Sequence, residues 1–476
     1  MVFSSLFFLY AFLPLCLIAY SIPRQIKYKN WVLLAFSLFF YAWGEPFWIV
    51  QMVLSGSLVY SCARLMESCD KQKEAGLRKA FYILSLVLAL LPLLVFKYSD
   101  FFISNLNAVL GTSIPLPGFS LPIGISFYTF QILSYSIDLY HGKCKLQKRW
   151  DYFLLYQSFF PQLIAGPIVR YSDIEARLED RKSTPQDISQ GAQRFVLGLA
   201  KKCLIANYAG RLVEQTLASD RLAQLSGLEA LIGIIAFTFQ IYYDFSAYSD
   251  MAIGLGRIFG FHFLENFDYP YQSRSATEFW RRWHISLGSF FRDYVYIPLG
   301  GNRRHQYFNL LLTWFLTGFW HGASWNFILW GLYYLIFIAI EKAFLLDRLE
   351  RLPKFVSYIY MLPVVVFGWA LFYFTDLNDL GIFLSRLFCT DGARFLTLEG
   401  KLLLRQNIFA LLFCLAFSLP LWPRLQKAIQ GQQSKLAWQS EKSYLALALT
   451  QMIFLLVLST ASLAGDSYNP FLYFRF

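Results

Sequence analysis

The sequence predicts an all-α polytopic membrane protein, and three observations carry that prediction. Hydrophobic residues make up 57% of the chain and charged residues 15%, against about 25% charged in a typical soluble domain. Mean hydropathy is +0.44, more apolar surface than a soluble core hides. The remaining charges fall mostly in short loops between apolar runs. The 476 residues leave room for roughly 11–13 transmembrane or re-entrant helices, at about 20 residues per crossing plus loops. One continuous membrane domain, 1–476, is expected, with no soluble domain. The 42 Lys and Arg outnumber the 30 Asp and Glu. They are scattered rather than gathered on a soluble face, so they read as membrane topology and not as a nucleic-acid surface.

Phe3 to Ile22 lacks a basic leader and a convincing small-residue cleavage site, and is read as a retained first helix. The loops then alternate in charge. Arg24, Lys27 and Lys29 follow the first helix, and Gly44 to Pro46 carries no base. Arg64, Lys71, Lys73, Arg78 and Lys79 follow the third, only Lys97 lies between the fourth and about Pro122, and Lys143, Lys145, Lys148 and Arg149 follow the fifth. The positive-inside rule puts the N-terminus outside and the basic loops in the cytoplasm. Tyr152 to Val169 is apolar but broken by Pro161 and Gly166-Pro167, the pattern of a re-entrant element covered by protein. Asp173 to Lys202 reads as interfacial helices on the cytoplasmic side, and a polar loop is expected around Gln430 to Lys442. The seven cysteines are scattered singly, which argues against structural disulfides or a zinc site.

His321 is the most informative residue. It lies in Trp320-His321-Gly322, and no other acidic or basic residue occurs between His305 and Glu341. An ionisable group inside a membrane segment is costly and persists mostly where it faces a cavity, a partner or a substrate path. Tyr307 to Trp320 would be roughly 21 Å long as a helix, short of the roughly 30 Å hydrocarbon core. His321 is therefore expected deep, near a turn between two segments, with Gly318 and Gly322 allowing close backbone approach. A helix-packing hydrogen bond is the competing reading. Ser275 and Glu278 form a capping-box pattern, so a helix is expected from there to about Phe291, with His284 on a face with Trp280, Leu287 and Gly288. His284 could equally be a snorkelling interfacial side chain. Asp244 and Asp250 lie six positions apart in an apolar helix starting near Leu231, so they face different partners, and structural pairing with arginine is favoured over catalysis. Arg170, after Gly166-Pro167-Ile168-Val169, is either a topology residue or an anion contact.

These stretches resemble the membrane-bound O-acyltransferase family, in its bacterial branch typified by the membrane component of alginate O-acetylation. Peptidoglycan and cellulose O-acetylation and teichoic acid D-alanylation proteins are related. The resemblance rests on Leu121-Pro122-Ile123-Gly124-Ile125-Ser126-Phe127-Tyr128 to Asp138, on Phe160-Pro161-Gln162-Leu163-Ile164-Ala165-Gly166-Pro167-Ile168, and on Asp244 to Gly254. It continues through Glu278 to Gly301, Thr317 to Gly331, and the C-terminal Tyr468-Asn469-Pro470-Phe471-Leu472-Tyr473-Phe474. Ala247 and Ser324 stand where relatives often carry Gly and Ala. The resemblance implies a helical fold around a central funnel opening to the cytoplasm. It also implies that His321 is the active-site histidine and His284 the second histidine, of Trp-Arg-Arg-Trp-His.

Acyl transfer from a thioester to a hydroxyl needs a base for the alcohol and donors for the oxyanion. An imidazole with a pKa near its ordinary value of about 6.5 suits the first task. His321 is expected to be the general base, or the acyl-accepting nucleophile in a two-step version, with His284 orienting the thioester or relaying a proton. Trp320 and Asn326 are candidate contacts beside it. No bound cofactor is expected. The donor substrate is expected to be cytoplasmic acetyl-CoA, its phosphates at Arg281, Arg282, Arg303 or Arg304. The product is an acetyl group destined for an extracytoplasmic polysaccharide, alginate-like or peptidoglycan, with D-alanyl or other acyl export to teichoic acid as the alternative. A periplasmic or extracellular SGNH-type acetyltransferase is the expected partner, and the bacterial cytoplasmic (inner) membrane the location. A non-enzymatic acyl transporter or scaffold is the rival class; the sequence lacks the inverted repeats that would favour a transporter.

Overall fold

A computed structural model describes residues 1–421, 440–466 and 468–472, with side chains throughout except in 440–445. The polar loop expected at Gln430 to Lys442 lies outside the described residues as far as 439, and Tyr473 and Phe474 lie outside them too. Among the described residues the regular structure is helical, with no strand. Among the described residues seven helices are long and apolar enough to cross a membrane, from Trp48–Lys71 to Ala446–Gly465, and Phe8–Ser21 is a shorter apolar one. The polytopic all-α expectation is met, with shorter helices supplying the remaining elements.

Two compact units divide the chain. The first holds residues 1–195 and 248–265, the second 196–247 and 266–476. In the first, Trp48–Lys71 packs along Ala75–Leu110. The interrupted apolar stretch forms Trp150–Ser158 and Phe160–Leu163, separate helices with every side chain from Tyr152 to Leu163 buried. Gly124 turns the chain in with φ +77°, and a Cβ there would stand 2.7 Å from the Leu163 carbonyl oxygen. Only glycine permits that approach. Asp173 to Lys202 falls in the helices Tyr171–Glu179 and Pro185–Ala200 and the start of Lys201–Ala206, residues from 196 on belonging to the second unit.

The second unit carries His284 and His321. Its elements are α1 (Gly227–Ile258, of which 227–247 belong here), α2 (Ala276–Arg282), α3 (Ile285–Phe291), α4 (Gln306–His321), α5 (Trp325–Ile340) and α6 (Lys354–Tyr373). α4 and α5 form a hairpin closed by Gly322 to Ser324. Their crossing is backbone on backbone. A Cβ on Gly331 would lie 3.2 Å from Gly318 Cα, and it would also run into the Trp314 carbonyl. Small residues at a helix crossing let van der Waals contact and carbonyl packing replace the hydrophobic drive that lipid does not supply. α2 begins at Ser275, whose Oγ accepts from Glu278 N at 3.0 Å, the cap that the Ser/Glu spacing predicts.

Gly331→Leu is expected to lower the melting temperature of the detergent-purified protein by several degrees, matching the roughly 1–3 kcal/mol or more of an overpacked interior. Gly381→Leu, where a Cβ meets nothing within 4 Å, should leave it near wild type in the same thermal scan.

Candidate active site

His321 is the last residue of α4, so the hairpin turn itself sets its place. It is 6% exposed. Edge-on rings enclose it: Trp330 at 5.0 Å and Phe372 at 5.3 Å between centroids, with Trp320 at 4.9 Å. It borders a cavity of about 20 Å³ whose wall includes Asp244, Trp283, Trp330, Trp369 and Leu472. That is room for about one water molecule.

His284 departs from expectation. The helix predicted from Ser275 to Phe291 breaks at Trp283 and His284, and His284 adopts left-handed backbone, φ 46° and ψ 53°, as the N-cap of α3. It therefore does not share a helical face with Trp280 and Leu287. Non-glycine residues held left-handed are uncommon and cluster at functional sites. His284 is 1% exposed, seated edge-on against Phe245 at 4.6 Å, with Trp320 at 5.9 Å. Trp320 thus touches both histidines. Removal from water disfavours the imidazolium and pulls the His284 pKa down to about 3.

Asp244 and Asp250 take different partners. In the first unit, Asp250 takes Arg194 at 2.9 Å. In the second, Asp244 takes Lys202 at 2.7 Å, a lysine in place of the expected arginine, with both side chains under 5% exposed. Its other oxygen accepts from Leu472 N at 2.8 Å, and the Lys202 ammonium also donates to the Pro470 carbonyl. The pair therefore ties residues 470–472 to α1 beside the His321 cavity.

The remaining expected residues divide. Asn326 is buried and donates to the Phe372 carbonyl at 3.2 Å, linking α5 to the end of α6; it is not on the cavity wall. Arg281 and Arg282 line a separate cleft of about 450 Å³ together with Arg274, Asp268, Leu346 and Leu349. Arg282 is already committed there, to Asp268 at 2.6 Å and Glu278 at 3.1 Å. Arg303 and Arg304 are exposed before α4 and are not among the residues lining that cleft. Arg170, in the first unit, is the N-cap of Tyr171–Glu179, its N–H donating to Asp173 at 3.2 Å.

Sequence reasoning missed Glu341, Lys202 and Asn266. Glu341 is 1% exposed and accepts from Ala276 N, Thr277 N, Thr277 Oγ1 and Tyr360 OH at 2.6–3.0 Å. A carboxylate at the end of an apolar run was a visible signal, and it caps the helix leading to His284. Lys202 and Asn266 stand in polar stretches, where nothing local marks them.

The chain belongs to the membrane-bound O-acyltransferase family, whose model matches residues 150–383, and it is an acyltransferase of the branch its motifs indicate. It is 35% identical to a probable alginate O-acetylase of Azotobacter vinelandii over the full length of both chains. It is 34% identical to a peptidoglycan O-acetyltransferase of Helicobacter pylori, covering 78% of this chain and 77% of that one. A teichoic acid D-alanyltransferase of Streptococcus thermophilus is 30% identical over 47% of this chain and 57% of its own.

Asp244→Ala should destabilise the purified protein by about 3–5 kcal/mol, because it strands the buried Lys202 charge. Adding Lys202→Met should return part of that loss, read as unfolding midpoints in detergent.

Proposed function

We propose that this protein moves an acetyl group from acetyl-CoA, bound from the cytoplasmic side of a bacterial inner membrane, towards the hydroxyls of an extracytoplasmic polysaccharide. The observation that carries the reading is His321: an imidazole at a hairpin tip, walled by aromatic rings, beside a small internal cavity. The acetyl group and an alginate-like acceptor are favoured because full-length similarity runs to probable alginate O-acetylases. Similarity to the D-alanyltransferase covers only about half of the chain.

In this mechanism His321 takes the proton of the attacking hydroxyl as its oxygen forms the new bond to the thioester carbonyl. The thiolate of CoA leaves and takes that proton from the His321 imidazolium, which returns the histidine to its starting state. The low-dielectric aromatic walls strengthen each interaction with the developing charge. The cavity admits about one water, so an acyl arm enters only as those walls part. Arg274 and Arg281 line the 450 Å³ cleft without the ion pairs that commit Arg282, and they suit the phosphates of the donor. An SGNH-type acetyltransferase outside the membrane would complete transfer to a polymer.

His321→Ala is expected to abolish polymer O-acetylation in cells while protein level and membrane insertion stay normal. Wild-type acetylation in that strain would remove the reading. Arg274→Gln and Arg281→Gln should each raise the KM for acetyl-CoA about tenfold with kcat little changed, the loss of one charge-assisted phosphate contact. Steady-state kinetics of the purified protein measure this.

A further inference from the structure

Three groups converge on one oxygen next to His284. Asn266 Oδ1 lies 3.2 Å from Ser286 N, 2.9 Å from Ser286 Oγ and 3.2 Å from His284 Nδ1. The Asn266 backbone carbonyl accepts from Ile285 N at 2.9 Å. Asn266 is fully buried, at 0% exposure, and holds the turn joining α2 to α3 through both its backbone carbonyl and its side-chain amide oxygen.

The chemistry fixes the protons. A backbone N–H only donates, so the Asn266 atom facing Ser286 N is the amide oxygen and not the nitrogen. Ser286 Oγ also lies 3.5 Å from His284 Nδ1, but its one hydrogen goes to the nearer Asn266 Oδ1 at 2.9 Å. The amide oxygen only accepts, so His284 Nδ1 at 3.2 Å carries a hydrogen; otherwise lone pairs would face each other. A neutral imidazole has one N–H. A charged one is disfavoured here, where the ring packs against Phe245 and Trp320. Nε2 therefore holds a bare lone pair. That atom is buried and has no hydrogen-bond partner among the described residues. Buried polar atoms of native proteins are ordinarily satisfied, and an exception at a strained backbone position calls for a ligand or substrate.

We propose that Asn266 is a positioning residue that locks His284 as the Nδ1–H tautomer, so that His284 acts through Nε2 as a hydrogen-bond acceptor for an N–H or O–H of the bound substrates. The catalytic part of this assignment rests on the acyl-transfer reading; the tautomer does not. It separates the two histidines by role: His284 receives a hydrogen bond and orients a substrate group, and it cannot donate to a developing oxyanion at Nε2.

Histidine-ring ¹⁵N NMR of the purified full-length protein tests the tautomer without any turnover, the His284 signals being those lost in His284→Gln. A pyrrole-type Nδ1 and a pyridine-type Nε2 are expected; a pyrrole-type Nε2 overturns the proposal. In turnover of labelled acetyl-CoA, Asn266→Ala should lower kcat by at least about tenfold with KM little changed. Asn266→Asp keeps an oxygen acceptor and should recover most of that rate. Equal losses in the two variants, or a loss confined to KM, overturn the positioning role. Absence of acetyl-CoA turnover by the wild type would instead count against the acyl-transfer reading, leaving the NMR result to decide the tautomer.

Discussion

The close crossing of α4 and α5 is the constraint on which the second unit depends. Gly318 and Gly331 let the two backbones meet, and everything placed by that hairpin inherits its geometry. Its tip holds His321. The body of α5 supplies Trp330, one wall of the histidine's surroundings. Just beyond its far end, Glu341 caps α2 with three hydrogen bonds from Ala276 and Thr277. One helix therefore touches His321 at its start and holds the helix that precedes His284 at its end. A bulky residue at the crossing would shift both.

A membrane interior makes the same arrangement expensive to fake. Water is absent to rescue a misplaced polar atom, so each buried charge must have a specific reason to be there. Asp244 is answered by Lys202 and a backbone N–H, Glu341 by four donors, and the turn at His284 by Asn266. These are all local answers on neighbouring elements. The imidazole nitrogen Nε2 of His284 is a buried atom that no group among the described residues answers.

Much of this was legible in the chain. Composition defined the polytopic class, and the position of His321 in a long apolar run marked it, because an ionisable residue among lipid-compatible ones is a physical anomaly. The break at Phe159, just ahead of Pro161, was legible for a different reason: proline removes a backbone donor and sits in the first turn of a new helix. The kink at His284 was not. A capping box starts a helix but says nothing of where it ends, and Trp283-His284 carries no glycine or proline to announce a break. The partners of the buried groups were also hidden. Lys202 and Asp244, or Asn266 and His284, meet only through tertiary folding.

The central claim is chemical: this fold breaks a thioester and moves its acyl group. Incubating the purified protein in detergent with acetyl-CoA labelled in the acetyl group, and following both free CoA and the label, tests it most directly. The account predicts release of CoA by the wild type, with the label passing to protein, water or an added hydroxyl acceptor, and no release above background by His321→Ala. An intact thioester in the presence of wild-type protein, or equal CoA release from both proteins, would contradict it.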